Sequence, residues 1–388
     1  MIGEIIASDV RHAGALLTID LNAVRSNYRL LCQKVGQDVR CGAVVKADAY
    51  GLGAQAVAPV LYAEGCRDFF VAHLDEGLSL RSLLPASASI YVLNGLLPGG
   101  EADCAAAKLV PVLNSLDQAH AWAAETKRVE RSLDAVVQID SGMNRLGLSP
   151  QEVADWAESM DRLAGIKIRF VMSHLACADT PAHDANVMQL ASFTDLSQTF
   201  PGVARSFANS SGIFLGHDFH FDIVRPGAAL YGINPLPTHV NPMRSVVRLS
   251  AQVIQTREVR DGEHVGYGWE FSVTKPSRLA TVSIGYADGL HRALQGRGVV
   301  HFEGVALPVV GRVSMDSITV DVSAVAIERL ASGAAIDIIG DHQPVDFLAD
   351  AMRTSGYEVL TALGHRYNRR YLGALECSRA GLLEETLQ

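Results

Sequence analysis

The stretch Ala43–Leu93 reads AVVKADAYGLGAQAVAPVLYAEGCRDFFVAHLDEGLSLRSLLPASASIYVL. Three short apolar runs stand in it, Ala43–Ala47, Phe69–Ala72 and Ile90–Leu93, separated by longer segments rich in Ala, Leu and charge. Short runs of this kind read as buried strands, and the longer amphipathic segments between them as helices. Outward from this stretch the rhythm continues through Leu109–Leu113, Ala135–Ile139, Ile168–Met172, Ser206–Ala208 and Ile223–Val224. Upstream, Leu21, Val24, Tyr28, Leu31 and Val35 keep helix spacing, with Asp20 as N-cap and Gly36 as stop. Strand and helix alternating eight times over about 200 residues predict an α/β fold, an N-terminal (β/α)8 TIM-type barrel. A doubly wound sheet is the alternative, and the count of eight favours the barrel.

After residue 240 the rhythm changes. Val246–Ile254, Leu279–Ile284, Gly298–Phe302, Ala306–Val310, Ser317–Val322 and Ile336–Ile339 read as strands broken by Asp-Gly, Lys-Pro and Gly-rich turns, a C-terminal mostly β domain. The expected division is an N-terminal extension over 1–14 joining the β domain, the barrel over 15–240, and the β domain over 241–388. Ala15–Ile19 also reads as a strand, and pairing with the C-terminal domain would make that domain discontinuous.

Lys and Arg number 33 against 42 Asp and Glu, without basic runs, which argues against nucleic acid or an anionic membrane as partner. No apolar run approaches the ~20 residues that span a bilayer. Glu4, Asp9 and Arg11 stand where a secretory signal would need a basic and then an apolar segment, so the expected location is the cytoplasm. Cys32, Cys41, Cys66, Cys104, Cys177 and Cys377 are scattered, with neither CxxC nor metal-ligand spacing. They read as thiols in a reducing compartment, and no metal is expected.

Barrel sites are built from the loops at the C-terminal ends of the strands. The first strand delivers Lys46 there, and on position alone a snorkelling or salt-bridged lysine is the ordinary reading. The loops after strands seven and eight change the balance. They carry Asn209-Ser210-Ser211-Gly212 and Arg225-Pro226-Gly227-Ala228, where barrel enzymes commonly hold a phosphate on backbone N–H groups. Small residues at Ser210, Gly227 and Ala228 let the backbone approach an anion closely. A lysine able to condense with an aldehyde, facing a phosphate cup, describes pyridoxal 5'-phosphate.

AVVKADAYGLGA at Ala43–Ala54 resembles the cofactor-lysine signature of the bacterial alanine racemases. The resemblance runs nearly end to end, through Asp140–Gly147, Ser173–Ala176, Ala208–Ser210, Val224–Gly227, Gly266–Gly268, Gly285–Gly289 and Gly311–Asp316. It implies a homodimer with shared active sites, alanine as the small-molecule substrate, and production of D-alanine for peptidoglycan. It casts Lys46 and Tyr267 as the two bases, on opposite faces of the substrate, with Tyr267 coming from the second subunit. It further implies that Tyr50, Ser210, Gly227, Ala228 and Tyr286 line the phosphate or the substrate entrance. Arg145 would contact the cofactor's phenolic oxygen and the substrate carboxylate, to which Met315 would offer its backbone.

An unperturbed phenol, with a pKa of about 10, is a poor base at neutral pH. In the family a relay from an arginine through a histidine serves that tyrosine, and Arg225 and His174 match those positions. The ordinary alternative for His174 is a satisfied core histidine, for Tyr267 an aromatic in a turn, and for Asp316 a turn cap. Arg225 stays protonated, so it would donate to the pyridine nitrogen without protonating it. Bulk at Tyr267, Tyr286 and Met315 leaves room for little beyond a methyl side chain, discrimination worth a few kcal/mol per misfit group.

Three positions depart from the family's pattern. Many members carry a carbamylated lysine seven residues before the matching arginine, where this chain has Gln138, expected to hydrogen-bond Arg145. His365 falls where some members have a phosphate-binding tyrosine, and Trp269 is bulkier than usual. Within the same fold the alternatives are a racemase of broader specificity, acting on serine or basic amino acids, and a catalytically silent cofactor-binding homeostasis protein. The C-terminal domain argues against the latter. A decarboxylase normally wants an acidic residue where Arg225 stands.

Overall fold

The computed structural model describes residues 12–159 and 161–374. Much of the expected 1–14 extension, and Cys377, lie outside the described residues. Two compact units emerge, one containing 24–230 and 234–244, the other containing 12–23, 231–233 and 245–374.

The first unit is the expected parallel barrel. Its strands are Asp68–Val71, Ser89–Val92, Val110–Leu113, Leu133–Gln138, Ile166–Met172, Ala204–Ser206 and Ile223–Val224, together with a first strand made of Arg40–Cys41 and Ala43–Val44. Gly42 splits that first strand. Its front half pairs in parallel with Ile223–Val224 and its rear half with Asp68–Val71, so one interrupted strand closes the ring of eight. Only glycine fits at this junction, since a Cβ on Gly42 would stand 2.7 Å from the Phe70 ring, and its N–H still bonds the Val224 carbonyl at 2.9 Å. The interior is filled by Val44, Phe70, Tyr91, Val112, Val136, Phe170 and Met172. Phe70 stacks on Tyr91 at 4.8 Å, and Phe170 meets Tyr91 edge-on at 5.1 Å. The buried Tyr91 hydroxyl donates to Asp68 at 2.8 Å, and Asp68 also pairs with Arg40. The helix Leu21–Val35 starts where Asp20 accepts the N–H groups of Asn22 and Ala23, and the chain leaves it at Gly36 with φ of 85°.

The second unit is built on an eight-stranded sheet of Ser277–Val282, Ile318–Asp321, Val305–Val310, Val299–Phe302, Ala335–Ile339, Val247–Val259, Ala15–Asp20 and Asn368–Leu372, in that order. Val247–Val259 is long enough, at 13 residues, to pair with Ser277–Val282 as well, which joins the two ends of much of the sheet. Ala15–Asp20 lies in this sheet, antiparallel to Val247–Val259 and parallel to Asn368–Leu372. The unit also holds helices Val345–Met352 and Gly356–Ala362 and a two-stranded hairpin, His264–Val265 with Phe271–Ser272. Among the described residues no helix is long and apolar enough to cross a membrane.

Candidate active site

Lys46 follows the first barrel strand, as the sequence predicts, but the strand stops at Val44 and not at Ala47. Ala47, Asp48, Ala49 and Tyr50 are consecutive left-handed residues with φ between 52° and 57°. Such a conformation costs about 1–2 kcal/mol for each L residue, so something outside the turn must hold it. Asp48 accepts the Ala54 N–H at 2.7 Å, and Glu76 accepts the Ala47 N–H at 2.7 Å. The half-buried Lys46 amine is held below the usual lysine range, first by burial and then by Arg145, with Glu76 opposing.

The cup stands on the later loops. The Ser210 hydroxyl is buried and accepts the N–H groups of Gly227 at 2.9 Å and Ala229 at 3.2 Å. The buried Ala228 N–H has no acceptor among the described residues. A Cβ added to Gly227 would lie 2.4 Å from the Tyr50 hydroxyl, so that phenol sits directly over the glycine. Tyr50, Ser210, Gly227 and Ala228 therefore form one cradle, and it is a cradle that a side chain at position 227 would fill.

Arg225 is buried between strand ends, donating to the Ser206 hydroxyl and to the carbonyls of Ser173 and Phe207. Burial lowers it to about 9, which still leaves a cation at neutral pH. His174 is pushed down to about 3 by burial and by the repulsion of Arg225, Arg145 and Lys46. It is a neutral imidazole, available as donor on one nitrogen and acceptor on the other. Arg145 is exposed on the loop after strand Leu133–Gln138, shaped by Asp140, which accepts the N–H groups of Gly142, Met143 and Asn144.

These groups fit pyridoxal 5'-phosphate. An amine biased towards its neutral form suits covalent capture of an aldehyde. The free Ala228 N–H and the hydroxyls of Ser210 and Tyr50 suit a phosphate. A buried guanidinium suits a ring nitrogen that accepts a hydrogen bond.

The family description "Alanine racemase, N-terminal domain" matches residues 19–235, and "Alanine racemase, C-terminal domain" matches 246–371. The chain belongs to the alanine racemase family. It is 51% identical to "Alanine racemase, catabolic" of Agrobacterium fabrum, over 93% of this chain and 92% of that one. It is 48% identical to the alanine racemase of Brucella canis, over 93% and 94%. A crystal structure of alanine racemase from Bartonella henselae, with covalently bound pyridoxal phosphate, superimposes with a TM-score of 0.89 at 43% identity, covering 93% of this chain and all of that one.

Tyr267, Tyr286 and Met315 belong to the second unit of this racemase. Tyr267 is 71% exposed on a turn between Gly266 and Gly268, whose φ values are 75° and 73°. A Cβ on Gly268 would crowd the Arg312 guanidinium at 3.2 Å. Trp269 stacks on His264 at 4.8 Å and is equally exposed. The loops of Tyr286 and Met315 are laced together, Tyr286 N–H to the Ser314 carbonyl and Ala287 N–H to the Met315 carbonyl. Arg366 ties this pair down by bonding both Asp288 and Asp316, so Asp316 is an ion-pair partner in place of the alternative turn cap. His365, beside it, is exposed.

Two expected contacts are not made. The Gln138 side-chain NH2 donates to the Leu146 carbonyl at 2.9 Å, where the loop folds back over strand Leu133–Gln138, and no bond joins the Gln138 side-chain oxygen to Arg145 among the described residues. The link from Arg225 to His174 is also absent among the described residues; three of the five guanidinium N–H groups go to the oxygens named above, which leaves two for a ring nitrogen. Sequence reading passed over Glu76, Asp140, Gln189 and Asp288. Gln189 grips both the His174 carbonyl and the Ala176 N–H, and so fixes that loop. Only Asp140 and Asp288 carried a signal, as acidic members of glycine-containing motifs.

Proposed function

We propose that this chain interconverts L-alanine and D-alanine, with pyridoxal 5'-phosphate attached at Lys46. The observation that carries the reading is the pairing of a lysine held below its usual range with the Tyr50–Ser210–Gly227–Ala228 cradle at the same barrel mouth. When bound, the cofactor supplies an aldehyde for the amino group and a conjugated ring that spreads charge from the α-carbon.

Two bases, one on each face of the α-carbon, are the economical way to remove a proton on one side and return it on the other. The Lys46 amine, disfavoured as ammonium, takes or returns the proton on one face. Tyr267 of a second copy serves the other. Its exposure, together with that of Trp269, Tyr286 and Met315 on the same unit, supports a homodimer that covers these side chains. Arg145 binds the substrate carboxylate, helped by the backbone N–H of Met315 from the second copy, a donor that has no acceptor among the described residues. Arg225 donates to the ring nitrogen and keeps its own proton. His174, neutral, orients without adding charge.

The protein acts in the cytoplasm and makes D-alanine for peptidoglycan. A second reading, supply of L-alanine by breakdown of D-alanine, is favoured by the Agrobacterium relative's description as catabolic. Deletion separates the two: a requirement for D-alanine marks the first, and failure to grow on D-alanine marks the second. The activity itself is tested by following the α-proton of L-alanine in deuterated water. Exchange with accumulation of D-alanine supports it, and no exchange by the cofactor-loaded protein refutes it. Comparison of kcat/KM for alanine, serine and lysine tests the steric selection by Tyr267, Tyr286 and Met315.

A further inference from the structure

The four left-handed residues after Lys46 contain no glycine, so the turn is imposed by its surroundings and not by its own preference. The Glu76 carboxylate is the group placed to impose it. One oxygen accepts the Ala47 N–H at 2.7 Å. The other accepts Ala72 N–H at 2.6 Å and His73 N–H at 3.1 Å. Ala72 and His73 follow the second barrel strand, Asp68–Val71, and Glu76 lies in the first turn of helix Leu74–Arg81. A helix cap alone would use only the bond to His73. The Ala47 N–H belongs to the peptide that Lys46 shares with its successor, so this carboxylate holds the plane from which the lysine side chain departs.

We propose that Glu76 is a positioning residue for racemisation: it staples the Lys46–Ala47 peptide to the end of the neighbouring strand and fixes the line along which the Lys46 amine meets the α-carbon. The inference rests on the reading of Lys46 as attachment point and base. Its charge favours the Lys46 ammonium, against the burial and the Arg145 charge that disfavour it, so what Glu76 supplies to the reaction is position.

Glu76→Gln keeps the size but offers one acceptor oxygen, and turns an NH2 donor towards N–H groups that need acceptors. Asp75→Asn is the control, because Asp75 only caps the Glu76 N–H at 2.9 Å. In the apoprotein, amide hydrogen exchange at Ala47 should quicken about tenfold or more in Glu76→Gln and stay unchanged in Asp75→Asn. In the loaded enzyme, kcat should fall at least about tenfold with KM within a few-fold, as a misplaced reacting group dictates. Borohydride should still fix the cofactor at Lys46. If Glu76→Gln does not fold, Glu76→Asp, which keeps the charge but loses reach, is read by the same measurements. Unchanged exchange at Ala47, or a loss of thermal stability with kcat intact, overturns the proposal. Absence of label at Lys46 in the unsubstituted protein refutes the underlying reading instead, and takes this inference with it.

Discussion

Ser210→Ala is the substitution whose effect is best fixed by geometry. The hydroxyl oxygen satisfies two buried N–H groups, Gly227 at 2.9 Å and Ala229 at 3.2 Å. Each buried donor left without an acceptor costs about 1–3 kcal/mol, and water entering at the barrel mouth places both near the low end, so the apoprotein should lose about 2–3 kcal/mol. The hydroxyl's own proton remains for an anion. A hydrogen bond to a charged group is worth about 1.5–3 kcal/mol, which is roughly ten- to a hundredfold in cofactor Kd. The assay is fluorescence titration of the apoprotein with pyridoxal phosphate, set beside pyridoxal, which lacks the phosphate. The variant should weaken the first by that factor and leave the second nearly unchanged. Equal weakening of both, or of neither, refutes a phosphate cradle at Ser210.

Other substitutions test other parts of the site. Tyr267→Phe should keep the cofactor and lose activity mainly in the direction starting from L-alanine, read as solvent-isotope incorporation measured separately from each enantiomer. Gln138→Ala frees the Leu146 carbonyl and loosens the loop carrying Arg145, so KM for alanine should rise several-fold with kcat less affected, in steady-state assays. His174 stays neutral in the folded chain down to about pH 3, whereas the unfolded chain binds the proton near 6.5. Acid therefore removes stability as pH falls from about 6.5 towards 3, and His174→Asn should show a smaller drop in urea midpoint between pH 7 and pH 5.

The barrel was legible because its strands are nearly continuous apolar runs, as buried parallel strands must be. Val110–Leu113 and Ile223–Val224 were found almost residue for residue. The turn after Lys46 was not, since Ala and Tyr do not favour the left-handed region and the conformation is held by Glu76, 29 residues from Ala47 in sequence. The helix Val345–Met352 did carry a signal that was passed over: Val345, Leu348, Ala349 and Met352 keep helix spacing and are all buried. Lys46, Ser210, Gly227 and Arg225 were legible because each stands within four residues of the end of a strand. The grip of Gln138 on Leu146 was not, because it depends on how one loop folds back over its strand. The pairing of Arg366 with Asp288 escaped for a related reason, joining residues 78 apart in sequence.

The claim beneath every assigned role is that the Lys46 amine holds an aldehyde covalently at the barrel mouth. Borohydride reduction of the cofactor-loaded protein, followed by peptide mass mapping, measures this directly. The account predicts a single phosphopyridoxyl adduct, on Lys46, absent from Lys46→Ala. An adduct on another lysine, or none at all, contradicts it.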